Sequence, residues 1–359
     1  MVVERDIVAI SIPFTAGVAA AAVLPPGGGD FIFRAALASS AVLALMFALL
    51  TRKGTQTAAI CTLFFFLGAS CMLNAICLGK TAVHTPPPFL ARALRSFTAL
   101  IDSIQFSDSR TGPLVKALLT GQKDSIPVEI TNAFRQSGAA HILALSGLHL
   151  GVIYAVLTRM LSLIGNSRTA AVLRSGAAIA AAGAYTVMTG AGPSIVRAFL
   201  FITLNETLRL LPGRRREPLS ILCAALTMQL AFNPMVIKSV GFQLSYLSML
   251  GIFLFFPVLD SWYPPSGRMD LVRRIWSSAA LSISCQLLTA PLAWKYFHSF
   301  PKYFLLTNII ALPLAEGLMV CSAACISLAG MGWCPDIMKS PVDLLARTLI
   351  FCLETISGM

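Results

Sequence analysis

The sequence predicts an all-α polytopic membrane protein of about eleven transmembrane helices with one short helical extracytoplasmic segment. Three observations predict it. Of the 359 residues, 57% are hydrophobic and only 12% charged, at a mean hydropathy of +0.79, whereas a soluble surface needs roughly a quarter of its residues charged. Apolar runs of about 20 residues, the length that crosses roughly 30 Å of hydrocarbon, recur along the whole chain. The basic residues, 27 Lys and Arg against 15 Asp and Glu, fall mainly between those runs and on alternate sides of them.

In chain order the runs are Ile7 to Leu24, Phe31 to Leu50, Thr57 to Leu78, Ala139 to Leu161, Ala170 to Thr189, Pro193 to Leu211, Leu219 to Phe232, Val240 to Leu259, Ile275 to Trp294, Tyr303 to Ala329 and Val342 to Ile356. The first is kept as a span: its flank holds Glu4, Arg5 and Asp6, so the cationic start of a cleavable signal is missing. The run at Leu219 is short enough to be tilted or partly spanning. With the N-terminus in the cytoplasm, the inner links hold Arg5, Arg52, Lys53, Arg159, Arg168, Arg174, Arg209, Arg214 to Arg216, Arg268, Arg273, Arg274 and Lys339. The short outer links hold Arg34, Lys238, Lys295 and Lys302, which is the positive-inside bias. All four Trp lie at or near span ends, as interfacial anchors do.

Between the third and fourth runs, Lys80 to Ser137 is the sizeable stretch outside the spans. It carries Lys80, Arg92, Arg95, Arg110, Lys116, Lys123 and Arg135, opens on Pro86, Pro87 and Pro88, and reads as short amphipathic helices at Pro88 to Phe106, Pro113 to Thr120 and Pro127 to Gln136. The expected organisation is therefore residues 1–79 as N-terminal spans, 80–138 as the extracytoplasmic helical segment and 139–356 as the main transmembrane domain. Nine Cys, an odd number with no C-x-x-C pair, indicate neither a disulfide nor a zinc framework. No cofactor motif is present.

Polar groups at membrane depth are costly unless they face a cavity, a partner or a ligand, and three clusters stand out. In the first, His141, Ser146 and His149 share one arc of a single helix, at about 0°, 140° and 80°, beside Gly147. Two His eight residues apart on a helix lie about 12 Å apart and cannot chelate one ion. In the second, Gly190, Gly192 and Pro193 interrupt helix, and a new helix starting at Pro193 would point its N–H groups and dipole at an anion. Ser194, Arg197 and Asn205 lie on one face of that helix. In the third, Asn233-Pro234 precedes Ser239, Gly241, Gln243, Ser245 and Tyr246, of which Ser239, Gln243 and Tyr246 share a face. Hydrogen bonding between packed helices serves the first and third clusters equally well; for the second the alternative is a plain outer loop with Arg197 snorkelling back to the interface, slightly less favoured because Arg197 stands inside the span. Glu206, Gln286, Asn308 and Glu316 are isolated and read as packing or interface residues.

Together the stretches AFRQSGAAHILALSGLHLGVI (Ala133 to Ile153), AYTVMTGAGPSIVRAFL (Ala184 to Leu200), NPMVIKSVGFQLSYLSMLGIF (Asn233 to Phe253) and APLAWKYFHSFPKYFLLTNIIALPL (Ala290 to Leu314) resemble, in order, the membrane domain of the ComEC-type competence protein family. The resemblance implies an inner-membrane channel that passes single-stranded DNA into the cytoplasm during natural transformation. It carries the family's S-G-L-H stretch onto Ser146, Gly147 and His149, with His141 upstream. The G-x-x-P-S-x-x-R-A stretch falls on Gly190, Pro193, Ser194 and Arg197, and G-F-Q-L-S on Gly241, Gln243 and Ser245. Fuller members add an OB-like domain and a metallo-β-lactamase-like domain. These 359 residues hold four His and no H-x-H-x-D-H stretch, so that metal site is not among them.

On this reading the chain is not an enzyme, and its partners are single-stranded DNA, the bilayer, a cytoplasmic helicase-like motor and an extracytoplasmic DNA-binding protein. The motor is required because no G-x-x-x-x-G-K-S/T stretch is present. The polar faces would line the path without sequence preference, with Arg197 on phosphates. Two other readings stand beside it: a permease for another small or lipid-linked solute, and an intramembrane serine hydrolase using Ser146. The latter is disfavoured because His149, one turn along the same helix, is expected to point alongside Ser146 rather than at it.

Overall fold

The computed structural model describes residues 2–23, 30–50, 53–78, 88–144, 146–162, 165, 167–211, 217–263, 270–298, 303–332 and 336–358. Every regular element among them is helical: α1 (Val2–Val23), α2 (Asp30–Leu50), α3 (Lys53–Cys77), α4 (Pro88–Ser103), α5 (Thr111–Thr120), α6 (Val128–Gln136), α7 (Ala140–Leu143), α8 (Gly147–Leu161), α9 (Arg168–Met188), α10 (Pro193–Leu210), α11 (Pro218–Phe232), a 3-10 turn (Pro234–Lys238), α12 (Val240–Ser261), α13 (Leu271–Phe297), α14 (Phe304–Gly330) and α15 (Asp336–Ser357). Arg52, Lys80, Pro86, Pro87, Leu145, Arg214 to Arg216, Arg268, Lys302 and Trp333 lie outside the described residues.

Among the described residues five helices are long and apolar enough to cross a membrane: Thr57–Cys77 within α3, α9, α12, α13 and α14. Four of the other expected spans fall short for identifiable reasons. α8 and α11 have 15 residues each, α10 carries Arg197, Glu206 and Arg209, and α15 carries Asp336, Lys339, Asp343, Arg347 and Glu354. The expected fourth span is not one helix. Ala144 and Ser146 take extended backbone angles and separate α7 from α8, because Ser146 makes a better N-cap than a helix-interior residue.

The chain divides into two compact units that interleave in sequence. The first, Met1–His84 with Leu200–Met249, is organised on α1, α3 and α11. α1 and α3 touch backbone to backbone: a Cβ added to Gly17 would overlap the Phe65 carbonyl oxygen, and one added to Gly68 that of Phe14. Small residues bring membrane helices this close where apolar side chains gain nothing by leaving lipid. Phe14, Val18 and Met72 are buried around the crossing. The Thr227 hydroxyl donates to Ser11 Oγ at 2.8 Å, and Ser11 Oγ reaches the Cys223 carbonyl at 3.1 Å, tying α11 to α1.

The second unit, Thr85–Phe199 with Leu250–Met359, has its core where α5, α6 and α7 meet the α14–α15 pair. Leu114, Leu118, Phe134, Leu318, Leu349 and Leu353 are all fully buried there. The three short amphipathic helices expected between residues 88 and 136 are present as α4, α5 and α6, and α5 and α6 contribute to this core. Hydrogen bonds fix this segment to the long helices. Tyr185 of α9 donates to the Leu119 carbonyl at 2.8 Å, and Thr307 of α14 to the Ser137 carbonyl at 2.7 Å.

Candidate functional site

Ser146 caps α8. With φ −118° and ψ 168° its side chain turns back over the first turn, and Oγ accepts the Leu148 N–H at 3.3 Å. His149, third in the helix, completes the box: its Nδ1 lies 3.3 Å from the Ser146 backbone nitrogen and 3.0 Å from Ser146 Oγ. The expectation that His149 points alongside Ser146 rather than at it is thereby corrected, since the extended backbone at Ser146 brings N, Oγ and the ring together. A backbone N–H only donates, so Nδ1 is the acceptor and the ring proton sits on Nε2 in the neutral tautomer. The ring is buried, and among the described residues Nε2 has no hydrogen-bond partner. His141 is placed differently: on α7, its Nδ1 lies 3.1 Å from the Gly138 carbonyl. The single polar arc expected for His141, Ser146 and His149 is broken by the gap between α7 and α8.

The second cluster folds as the sequence suggested. α9 ends with Gly190 at φ 84° and Ala191 at φ 50°, and the Ala191 N–H returns to the Thr186 carbonyl at 2.8 Å, a left-handed C-cap. Gly192 then accepts the N–H groups of Ile195 and Val196, each at 3.0 Å, so α10 starts at Pro193, where the absent N–H costs nothing. One turn on, Arg197 is only 9% exposed. Its guanidinium lies against the first turn of α8: a Cβ on Gly147 would come 2.8 Å from Nη2, 3.1 Å from Ala198 Cβ and 3.7 Å from the Ser194 carbonyl oxygen. Gly147 is therefore the contact point of α8 and α10. A buried cation meets the positive end of a helix, an arrangement that attracts an anion.

The third cluster lies in the first unit and is drawn into local structure. Gln243 Nε2 donates to the Ile237 carbonyl at 2.7 Å, closing the 3-10 turn, and Tyr246 donates to Gln229 Oε1 at 2.9 Å. Ser245 is buried, and Gly241 sits beside the Ser239 hydroxyl. In the same unit Asn205 is half-buried, and Glu206 is held by Arg209 at 2.9 Å. The structure thus brings together Ser146, Gly147, His149, Ser194 and Arg197 within one unit. Among the described residues no three His, Cys, Asp or Glu could hold a metal ion.

Sequence reasoning missed Asp343. Its carboxylate, buried on α15, accepts the backbone N–H of Ser107 at 2.8 Å and of Asp108 at 3.4 Å, while Arg347 Nε lies 3.4 Å from Asp108 Oδ2. The signal was present as spacing: Asp336, Ser340, Asp343, Arg347 and Glu354 recur every three, four or seven residues, within about 60° on one helical face.

Comparison with known proteins bears on this site. The family model for Competence, described as competence protein, matches residues 118–359. ComE operon protein 3 of Bacillus subtilis (strain 168) is 28% identical over 214 residues, covering 58% of this chain and 26% of that protein. The uncharacterized protein YcaI of Escherichia coli (strain K12) is 25% identical over 248 residues, covering 65% of this chain and 31% of that protein. The chain thus spans about a quarter to a third of the length of these relatives. No solved structure matches.

Proposed function

The chain belongs to the competence protein family, and on that footing we propose that it is a membrane conduit through which single-stranded DNA enters the cytoplasm. One observation carries the reading: the buried Arg197 guanidinium at the start of α8, one turn into α10. A cation and helix N-termini recognise a phosphodiester whatever its base, which suits a path that must accept any sequence. The helices of the eleven expected runs form the spans, the fourth as α8 alone, with the N-terminus in the cytoplasm of a bacterial cell and the membrane the cytoplasmic one. The chain contributes no catalytic group. A cytoplasmic motor supplies the force, and a separate extracytoplasmic protein first captures the DNA.

The test is entry of labelled DNA into the cytoplasm of a transformable host at matched protein levels. Arg197→Ala is expected to lower entry at least tenfold while surface-bound DNA is unchanged. Arg197→Lys is expected to restore part of it, since Lys keeps the charge but not the two-pronged fork. Unchanged entry in both variants removes Arg197 from the mechanism, and unchanged entry after deletion of the gene favours the permease. A hydrolase is supported by one contact, Ser146 Oγ to His149 Nδ1 at 3.0 Å. The capping box accounts for that contact without catalysis, and a fluorophosphonate probe that labels Ser146 would reverse the choice.

A further inference from the structure

α14 is a ruler. It has 27 residues, and from Thr307 to Gly330 it rises about 35 Å, more than the roughly 30 Å of hydrocarbon it is apolar enough to cross. Thr307 at one end holds the Ser137 carbonyl at 2.7 Å, whereas at the other end a Cβ on Gly330 would lie 3.5 Å from Leu100. The chain between Leu100 and Ser137 therefore passes from one end of a membrane-spanning helix to the other. It does so through α5, about 15 Å long, and α6, with a left-handed residue at Gly121 between them. Broken helix is tolerated at membrane depth where it is covered by protein or lines water, and α5 is covered by α14 and α15.

α15 runs beside the same ruler, with Leu345 against Gly317, yet its polar stripe extends over 19 residues from Asp336 to Glu354, about 27 Å. Charges spread over that depth must face water or one another. They face the turn between α4 and α5, where Asp343 holds the backbone of Ser107 and Asp108 and Arg110 comes within 3.7 Å of Glu354. An open cleft of roughly 390 Å³ lies here, lined by Gln105, Ser107, Asp336, Ser340 and Arg347 among others.

We propose that residues 100–137 cross the membrane as a broken span and that their Gln105 to Arg110 turn, together with the α15 stripe, lines a water-filled vestibule opening at the Gly330 end of α14. This requires α14 to span the membrane and is independent of what the protein carries. Ser107, Ser340 and Gln136 are exposed, so single Cys substitutions there leave packing intact. Each variant is treated with a membrane-impermeant thiol reagent in right-side-out and in inside-out vesicles, and labelling is read by peptide against the parent with its nine cysteines. Ser107→Cys and Ser340→Cys are expected to label from one side and Gln136→Cys from the other. Labelling of Ser107→Cys or Ser340→Cys from the same side as Gln136→Cys overturns the crossing. No labelling above the parent at Ser107 and Ser340, with Gln136→Cys reactive, overturns the vestibule.

Discussion

At the scale of the residue, His149 does two things that a hydropathy profile reads as neither. Its Nδ1 accepts the otherwise orphaned Ser146 N–H at the start of α8, and its Nε2–H is left as a buried donor. His149→Gln keeps a side-chain acceptor at the third helical position, the usual partner in a capping box. His149→Leu leaves the Ser146 N–H unsatisfied, which costs about 1–3 kcal/mol. Thermal unfolding in detergent is expected to rank the parent and His149→Gln close together, with His149→Leu lower by several degrees; equal loss in both variants would mean that the cap carries no stability. The pairing was half legible. The S-G-L-H stretch marked the residues, but treating them as one helix hid the break, since helical spacing says nothing about where the backbone leaves the helix.

At the scale of the element, the crossing of α1 and α3 is set by two glycines and by nothing else that could yield. The neighbour of each missing Cβ is a main-chain carbonyl, which cannot rotate aside as a side chain would. Gly17→Leu must push the helices apart and strand Phe14, Val18 and Met72, a loss of about 2 kcal/mol or more. Lower yield of folded protein and a depressed Tm are expected, with an exposed control such as Gly176→Ala unchanged; a parent-like Gly17→Leu would show that the helices do not cross there. Neither glycine could be singled out from the sequence, because nearest neighbours between separate helices leave no periodic trace. α15 was legible in the opposite sense: its existence was plain from Val342 to Ile356, but averaging over the window erased the stripe through Asp343 and Arg347. Asp336 to Pro341, too polar for a span, were left outside a helix that in fact begins there.

At the scale of the whole molecule, an all-helical architecture followed directly from composition, whereas the count of crossings did not. Among the described residues five helices are long and apolar enough to cross, and three others are shortened or charged by features of their own: the N-cap at Ser146 for α8, Arg197 in α10, the stripe in α15. Function and legibility thus compete for the same residues. The orientation expected from the basic links is open to experiment. Replacing Arg214, Arg215 and Arg216 together by Gln removes the densest inner cluster, and a reporter active only outside the cytoplasm, fused at Glu217, is expected to gain activity as a fraction of chains invert. No gain would mean that other links set the orientation.

The interleaving of the two units has a consequence for biosynthesis. Two of the three points where the chain passes between units, after Phe199 and after Met249, fall inside continuous helices, α10 and α12. The first unit cannot close until residue 249 has been made, and the second waits for α15, whose Leu349 and Leu353 complete the core around α5 and α6. At roughly 5–20 residues per second of synthesis, α5 and α6 spend on the order of ten seconds or more without the helix that covers them. Insertion factors and membrane proteases would meet this chain during that interval, and a ribosome that stalls before Asp336 releases a product with its centre unfilled.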